Sequence, residues 1–418
     1  MKFRFLTAGE SHGKCLTAIV EGIPAGIEID PDDINKQLAR RQQGYGRGGR
    51  MQIEKDKVII NSGIRHGFTT GAPVTLVIEN KDWENWTVPM SAMPVDLENP
   101  EIMELIEQKK ITHVRPGHAD LTGALKYNHE DIRNILERSS ARETAIRVAV
   151  GALAQIILNQ FGVEIFSHVV QIGTAKVEEK DLPKEFLVLK EKAENSDVRC
   201  ADEKTSEEMR KIIDKAAGEG DSLGGIFEII ALNYPIGLGS FVHWDRRLDG
   251  QIAQTIMSIP AIKSVSIGLG ENSGTVLGSE MHDEIFPMRS GSESRNGCDE
   301  QAMQAELVPL QSNYQRKTNN AGGIEGGMSN GMPIIVKAAM KPIPTLKKPL
   351  RSIDLETGRE HTAHYERSDV CAVPAASVVG EAMLAIALIS AFLEKFGGDS
   401  LIEMKSNFEN YKKLYQSR

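Results

Sequence analysis

Cysteine is scarce in this chain. The 418 residues hold four, Cys15, Cys200, Cys298 and Cys371, far apart and never in a Cys-x-x-Cys spacing. That spacing excludes a zinc ribbon and a disulfide framework, and no metal site is expected. Reduced thiols of a cytoplasmic protein are the expectation. Cationic excess is also missing: 49 Lys and Arg stand against 58 Asp and Glu, a net charge of −9. Nucleic-acid binding through bulk charge is therefore excluded, and any anion must be caught by a local basic patch. The first residues, Met1-Lys2-Phe3-Arg4-Phe5-Leu6, contain no long apolar stretch, so no signal peptide is expected. Only residues 370–393 form a long apolar run, with Glu381 as its one charge. Its Ala, Ser and Gly content and that central acid predict a helix buried between two layers rather than a membrane span.

What is present is a series of glycine-rich polar loops set between apolar runs. Asp30-Pro31-Asp32-Asp33 reads as a helix start, with Asp30 as N-cap and proline in the first turn, and Gly44 as the stop. Residues 58–62, 74–79, 224–233, 264–269 and 333–339 read as strands. Residues 128–161 are helical in pattern with a break near Ser139-Ser140, ended by Gly162. Residues 81–100 read as an irregular excursion, and 176–215 as a charged, solvated periphery. No linker or repeat separates these parts, which predicts a single domain over 1–418, its site assembled from many loops, with a tail at 397–418.

Six of the loops carry residues able to do chemistry. Thr7-Ala8-Gly9-Glu10-Ser11-His12-Gly13 places a histidine in a glycine-flanked turn, suited to acid–base work or simply to holding backbone. Arg40, Arg41, Arg47 and Arg50 crowd eleven positions around Gly44-Tyr45-Gly46-Arg47-Gly48-Gly49-Arg50. Guanidinium forks on glycine backbone suit carboxylate or phosphate capture. An Arg-Gly nucleic-acid tract is the weaker reading, because the chain is acidic and only 5% aromatic. Arg115-Pro116-Gly117-His118-Ala119-Asp120 sets a second histidine across a rigid turn. Glu137-Arg138-Ser139-Ser140-Ala141-Arg142-Glu143-Thr144 reads either as a capping box or as an anion-binding helix start. Residues 319–331 form a glycine-rich loop that is neither a phosphate-binding Walker loop nor a dinucleotide fingerprint. Tyr365-Glu366-Arg367-Ser368-Asp369 precedes the apolar run, and its acid beside an arginine could be a mere surface pair.

Taken in order along the chain, these loops resemble the signature set of the chorismate synthase family, and the likeness extends from Met1 to about Phe396. The resemblance implies an α+β fold, a β-α-β sandwich with central helices between antiparallel sheets. It implies a lyase that converts 5-enolpyruvylshikimate 3-phosphate to chorismate and phosphate by anti 1,4-elimination and requires reduced FMN. By the same likeness His12 would act on the leaving phosphate, His118 would tune the flavin, and Asp369 with Ser11 and Ser139 would relay a proton. Arg41, Arg47, Arg115, Arg142 and Arg367 would cage the substrate anions. Flavin contacts would fall on Arg138, Ser139, Ser140, Pro260, Ala261, Gly326, Lys341, Pro342, Ile343, Pro344, Thr345 and Arg367. Arg41 and Arg47 also match positions linked to NADPH, the expected ultimate reductant. A homotetramer is implied, with a small-molecule substrate and neither nucleic acid nor membrane as partner. Pro260 replaces the family's usual asparagine and Gly49 stands where many relatives carry arginine. The competing readings are a conventional flavin oxidoreductase and a non-catalytic anion- or nucleic-acid-binding protein.

Overall fold

The computed structural model describes residues 2–47, 55–287, 313–366 and 368–416. Arg50, Gly48, Gly49, Cys298 and Arg367 therefore lie outside the described residues. Alternating apolar residues build two antiparallel sheets. The N-terminal sheet takes Arg4–Ala8, Cys15–Glu21, Val74–Glu79 and Val58–Ser62 in that spatial order. Leu16, Ala18 and Val20 point inward from its second strand and Val74, Leu76 and Ile78 from its third, all buried. The C-terminal sheet runs Ile262–Ile267, Ile334–Met340, Gly225–Leu232, Glu164–Ile172, Ala175–Lys176.

Helices fill the space between. Pro31–Gln42 starts as its sequence demands, with the Asp30 carboxylate accepting from Asp32 N at 2.9 Å and proline in the first turn. The helical stretch beyond residue 128 breaks where the two serines stand. Arg133–Ser139 ends there, a short 3-10 turn Ala141–Glu143 follows, and Thr144–Asn159 continues. Val373–Phe396 is long and apolar enough to cross a membrane by composition, with a mean hydropathy of 2.1. Yet every residue from Val373 to Ile389 is buried inside the protein. It lies between Thr144–Asn159 and the C-terminal sheet, as the all-round apolar pattern predicts. The fold is thus α+β, helices between antiparallel sheets.

Two glycines set how closely these layers approach. A Cβ on Gly151 would sit 2.5 Å from the Cα of Ala382, and one on Gly380 would sit 2.7 Å from the Phe227 ring. Gly151→Val is expected to destabilise the protein by about 1–3 kcal/mol or more, because backbone on the far side cannot retreat. Chemical denaturation of the variant measures this, and unchanged stability would contradict the packing.

Three expected regions differ from their sequence reading. The charged segment 176–215 is not merely solvated. Phe186–Glu194 buries Leu189 beside Phe166 and Ile230, and Glu203–Glu219 buries Met209, Ile213 and Ala216 at helical spacing. The tail at 397–418 contains the helix Leu401–Gln416, whose Met404 and Phe408 join the core against Phe161, Phe392 and Phe396. The excursion at 81–100 delivers Trp86 into the protein, where its Nε1 donates to Asp82 at 2.8 Å.

Candidate active site

The site is a cavity of about 460 Å³ where the inner ends of the helices meet the loops. Its lining brings together Ser11, His12, Arg41, Arg47, Arg115, His118, Ser139, Ser140, Arg142, Pro260, Ala261, Lys341, Ile343, Pro344, Thr345 and Asp369. These residues come from seven separate stretches of sequence, so only the packed fold assembles them.

The turn at 9–13 is tied down from three directions. Gly9 adopts φ +110°, a region closed to other residues here because a Cβ would run into the backbone of Cys15 and Leu16. Asn80 Nδ2 donates to the carbonyls of Gly13 at 2.6 Å and Glu10 at 3.2 Å. Ser11 N donates to the carbonyl of Glu137 at 3.0 Å. The His12 imidazole then sits with Nδ1 at 2.8 Å from Glu137 Oε1 and its ring stacked on Trp86 at 4.1 Å.

The second histidine is held by its own turn. Gly117 at φ +78° reverses the chain, so that Asp120 reaches back to Arg115 and His118 together. Asp120 Oδ2 accepts from Arg115 N at 3.0 Å and Nε at 2.8 Å, and Oδ1 lies 2.5 Å from His118 Nδ1. Burial alone would push the Asp120 carboxyl up, but the His118 and Arg115 contacts outweigh it and hold it well below the ordinary range. An ionised Asp120 favours a proton on His118 Nδ1. Lys341 Nζ donates to the Gly117 carbonyl and joins this turn to the segment 341–345.

The arginines are braced rather than loose. Arg142 NH1 meets both oxygens of buried Asp56 at 2.7 Å, and its Nε donates to Asn80 at 3.1 Å. Arg41 donates to Thr144 Oγ1 and to the Ala141 carbonyl, each at 2.9 Å. Arg47 pairs with Asp369 at 2.9 Å. Fixed guanidinium groups of this kind hold carboxylate or phosphate without reorganising first. Arg47→Ala should therefore raise the substrate Kd far more than Arg47→Lys, with Lys55→Ala as the exposed control, as equilibrium binding measures. Equal, negligible effects of both Arg47 changes would remove this loop from the anion cage.

Other anticipated residues stand elsewhere. Arg138 braces the N-terminal turn from outside, donating to Thr7 O at 3.0 Å, Thr7 Oγ1 at 2.7 Å and Gly9 O at 3.2 Å. Gly326 occupies the tight turn between Ile324–Glu325 and Met328–Ser329, away from the cavity lining. Pro342 is flanked by lining residues without being one. Ser139 turns its hydroxyl back to the Ile135 carbonyl at 2.9 Å. It is Ser140 that reaches Ser11, at 3.3 Å.

Glu366, given no role in the sequence reading, lines the cavity. Burial would raise its carboxyl, but His364, Arg115 and Arg133 draw it down to about 2. Asp56, Asn80 and Trp86 were also missed. Each lies outside the recognised motifs, and only its long-range partner reveals it.

The cavity fits a flavin nucleotide. Ile259, Pro260, Ala261, Met340, Ile343 and Pro344 contribute apolar lining suited to a flat ring, beside the cationic and hydroxyl groups. Ala261 adopts φ +69°, an unusual backbone state for a residue with a Cβ, at the point where that wall meets the strand Ile262–Ile267.

Comparisons with known proteins agree on one family. A family model described as chorismate synthase matches residues 3–393. The chain is 52% identical to the chorismate synthase of Shouchella clausii over 408 residues, covering 98% of each. It is 53% identical to that of Aquifex aeolicus over 414 residues, covering 98% of this chain and 97% of the other. A crystal structure of a chorismate synthase superposes with a TM-score of 0.76 at 44% identity, covering 100% of this chain and 99% of that one.

Proposed function

The chain belongs to the chorismate synthase family, and on that premise we propose which of its residues carry the reaction. It is a lyase that converts 5-enolpyruvylshikimate 3-phosphate to chorismate and phosphate, an anti 1,4-elimination that uses reduced flavin. The observation that carries the assignment of roles is the convergence of two carboxylate-held histidines and four arginines on one cavity.

The substrate carries two carboxylates and a phosphate. Arg41, Arg47, Arg115 and Arg142 match that demand, and their braces keep them aimed while charge develops on the departing phosphate. His12 donates a proton from Nε2 to that phosphate. His118 works at the flavin edge, its Nδ1–H held by Asp120. Asp369, with Ser11 and Ser139 lining the same cavity, leads the ring proton away; Ser140 donates to Ser11 beside them. Reduced FMN, when bound, supplies the electron and proton-accepting chemistry that the elimination needs without net oxidation. Pro260, Ala261, Lys341, Ile343, Pro344 and Thr345 would hold it; of the other flavin contacts that the family resemblance implies, Arg138, Gly326 and Pro342 do not line the cavity and Arg367 lies outside the described residues.

The same reading makes NADPH the ultimate reductant, contacting Arg41 and Arg47, and makes the enzyme a cytoplasmic homotetramer. One core cluster with members from Phe3 to Phe408 supports a single unit among the described residues.

Mixed anaerobically with reduced FMN and the enolpyruvyl phosphate, the protein is expected to release phosphate and form the conjugated diene while the flavin is not consumed. Stopped-flow absorbance with a phosphate assay reads both. Turnover with oxidised FMN in strict absence of reductant would overturn the reading.

A further inference from the structure

Glu137 stands apart among the acids near the cavity. Its side chain is almost fully buried, does not line the cavity, and both of its oxygens face the back of His12. Oε2 accepts from the His12 backbone N–H at 2.7 Å, and Oε1 faces His12 Nδ1 at 2.8 Å. The backbone carbonyl of the same residue accepts from Ser11 N at 3.0 Å. One residue of the helix Arg133–Ser139 thus fixes both backbone and ring of a turn 125 positions away. Trp86 closes one face of the imidazole, its ring plane inclined 26° to it.

We propose that Glu137 is the positioning residue of His12, fixing the Nδ1–H form so that Nε2 serves the cavity and stabilising the charged imidazolium that donates to the leaving phosphate. The inference rests on the role given to His12 above. A carboxylate behind a catalytic imidazole sets both tautomer and basicity. Burial alone would push the Glu137 carboxyl up, but the contacts from His12 and Arg133 draw it down, so it is present as the carboxylate.

Arg133 opposes this effect. Its NH1 also donates to Glu137 Oε1 at 2.8 Å, and its guanidinium lies 4.9 Å from the centre of the Trp86 ring that stacks on His12. Arg133 therefore shares the carboxylate and adds a like charge beside the imidazolium. Other charged groups near this turn include Lys109, 4.5 Å from the Trp86 ring, and Asp82, bonded to Trp86 Nε1; Arg41, Arg47, Arg115, Arg142, Lys341, Glu366 and Asp369 line the same cavity.

The two neighbours of His12 then predict opposite signs in one experiment. The pH dependence of kcat is measured with reduced FMN for the parent, Glu137→Gln, Arg133→Met and His12→Gln, with thermal unfolding of each. A proton donor in the reaction gives kcat an alkaline limb, along which activity falls as pH rises. Glu137→Gln should lower kcat about ten- to a hundredfold and move that alkaline limb to lower pH, with KM changed only a few-fold. Arg133→Met should move the same limb to higher pH, a result that structural damage does not produce. A folded Glu137→Gln with an unmoved limb, or an Arg133→Met limb shifted downward, overturns the proposal. If Glu137→Gln does not fold, the direction of the Arg133→Met shift decides. Normal turnover in His12→Gln would instead remove the role of His12 itself. Impaired His12→Gln beside an unaffected Glu137→Gln sinks only the positioning claim.

Discussion

Replacing His12 or His118 with alanine should each lower turnover by about a hundred- to ten-thousand-fold while the fold survives, the range expected for a positioned acid–base group. Both side chains line the cavity, and neither sits in the apolar core. Their consequences should differ. His118 is locked to Asp120, in the turn that Lys341 ties to the segment assigned to the flavin. Only His118→Ala should alter the spectrum or pH behaviour of bound reduced flavin, as absorbance titration measures. His12→Ala should leave that spectrum unchanged and slow phosphate departure in single-turnover experiments. Near-normal turnover in either variant, with intact thermal unfolding, would defeat the role given to that residue.

Glu381→Ala should destabilise the protein by about 3–5 kcal/mol, because it strands two cations inside. Glu381 stands in the middle of the buried helix, its side chain almost wholly covered. Its oxygens accept from Arg40 NH1 at 2.7 Å and NH2 at 2.9 Å, Arg199 NH2 at 3.0 Å and Ser167 Oγ at 2.6 Å. Glu194 completes the network against the same two arginines. Burial would raise the Glu194 carboxyl, yet Arg40 and Arg199 draw it from its ordinary 4.5 down to about 2. A folded-state pKa below the unfolded one means that its stabilisation is complete above about 4.5 and is lost as pH falls through about 2. Denaturant titrations of parent and Glu381→Ala at neutral pH check the first effect, and Glu194→Gln should blunt the parent's loss of stability in acid. A Glu381→Ala variant as stable as the parent would show that the arginines find water or other partners.

Glu381 also shows what kind of information the sequence holds. As the one charge in residues 370–393 it marked the run, together with its Ala, Ser and Gly content, as a buried core helix rather than a lipid-facing one, and that was legible without any structure. Why the acid is tolerated was not legible. Its partners lie 341 and 182 positions away, and nothing local announces them.

The sequence by itself determined the local events: the Asp30-Pro31 helix start, the break at Ser139-Ser140, the glycine turns beside both histidines, and the ordered motifs that name the family. These depend on capping, φ restrictions and side-chain periodicity, which act within a few residues. Only the tertiary structure decided which buried carboxylate stands behind which cation or imidazole. It set Asp56 on Arg142, Glu137 on His12 and Glu366 at the cavity, and turned Arg138 outward to Thr7. It also turned Trp86 from an irregular excursion into the platform under His12. The reason is physical: desolvated charges must be matched in space, and the chain separation between partners carries no trace of that matching.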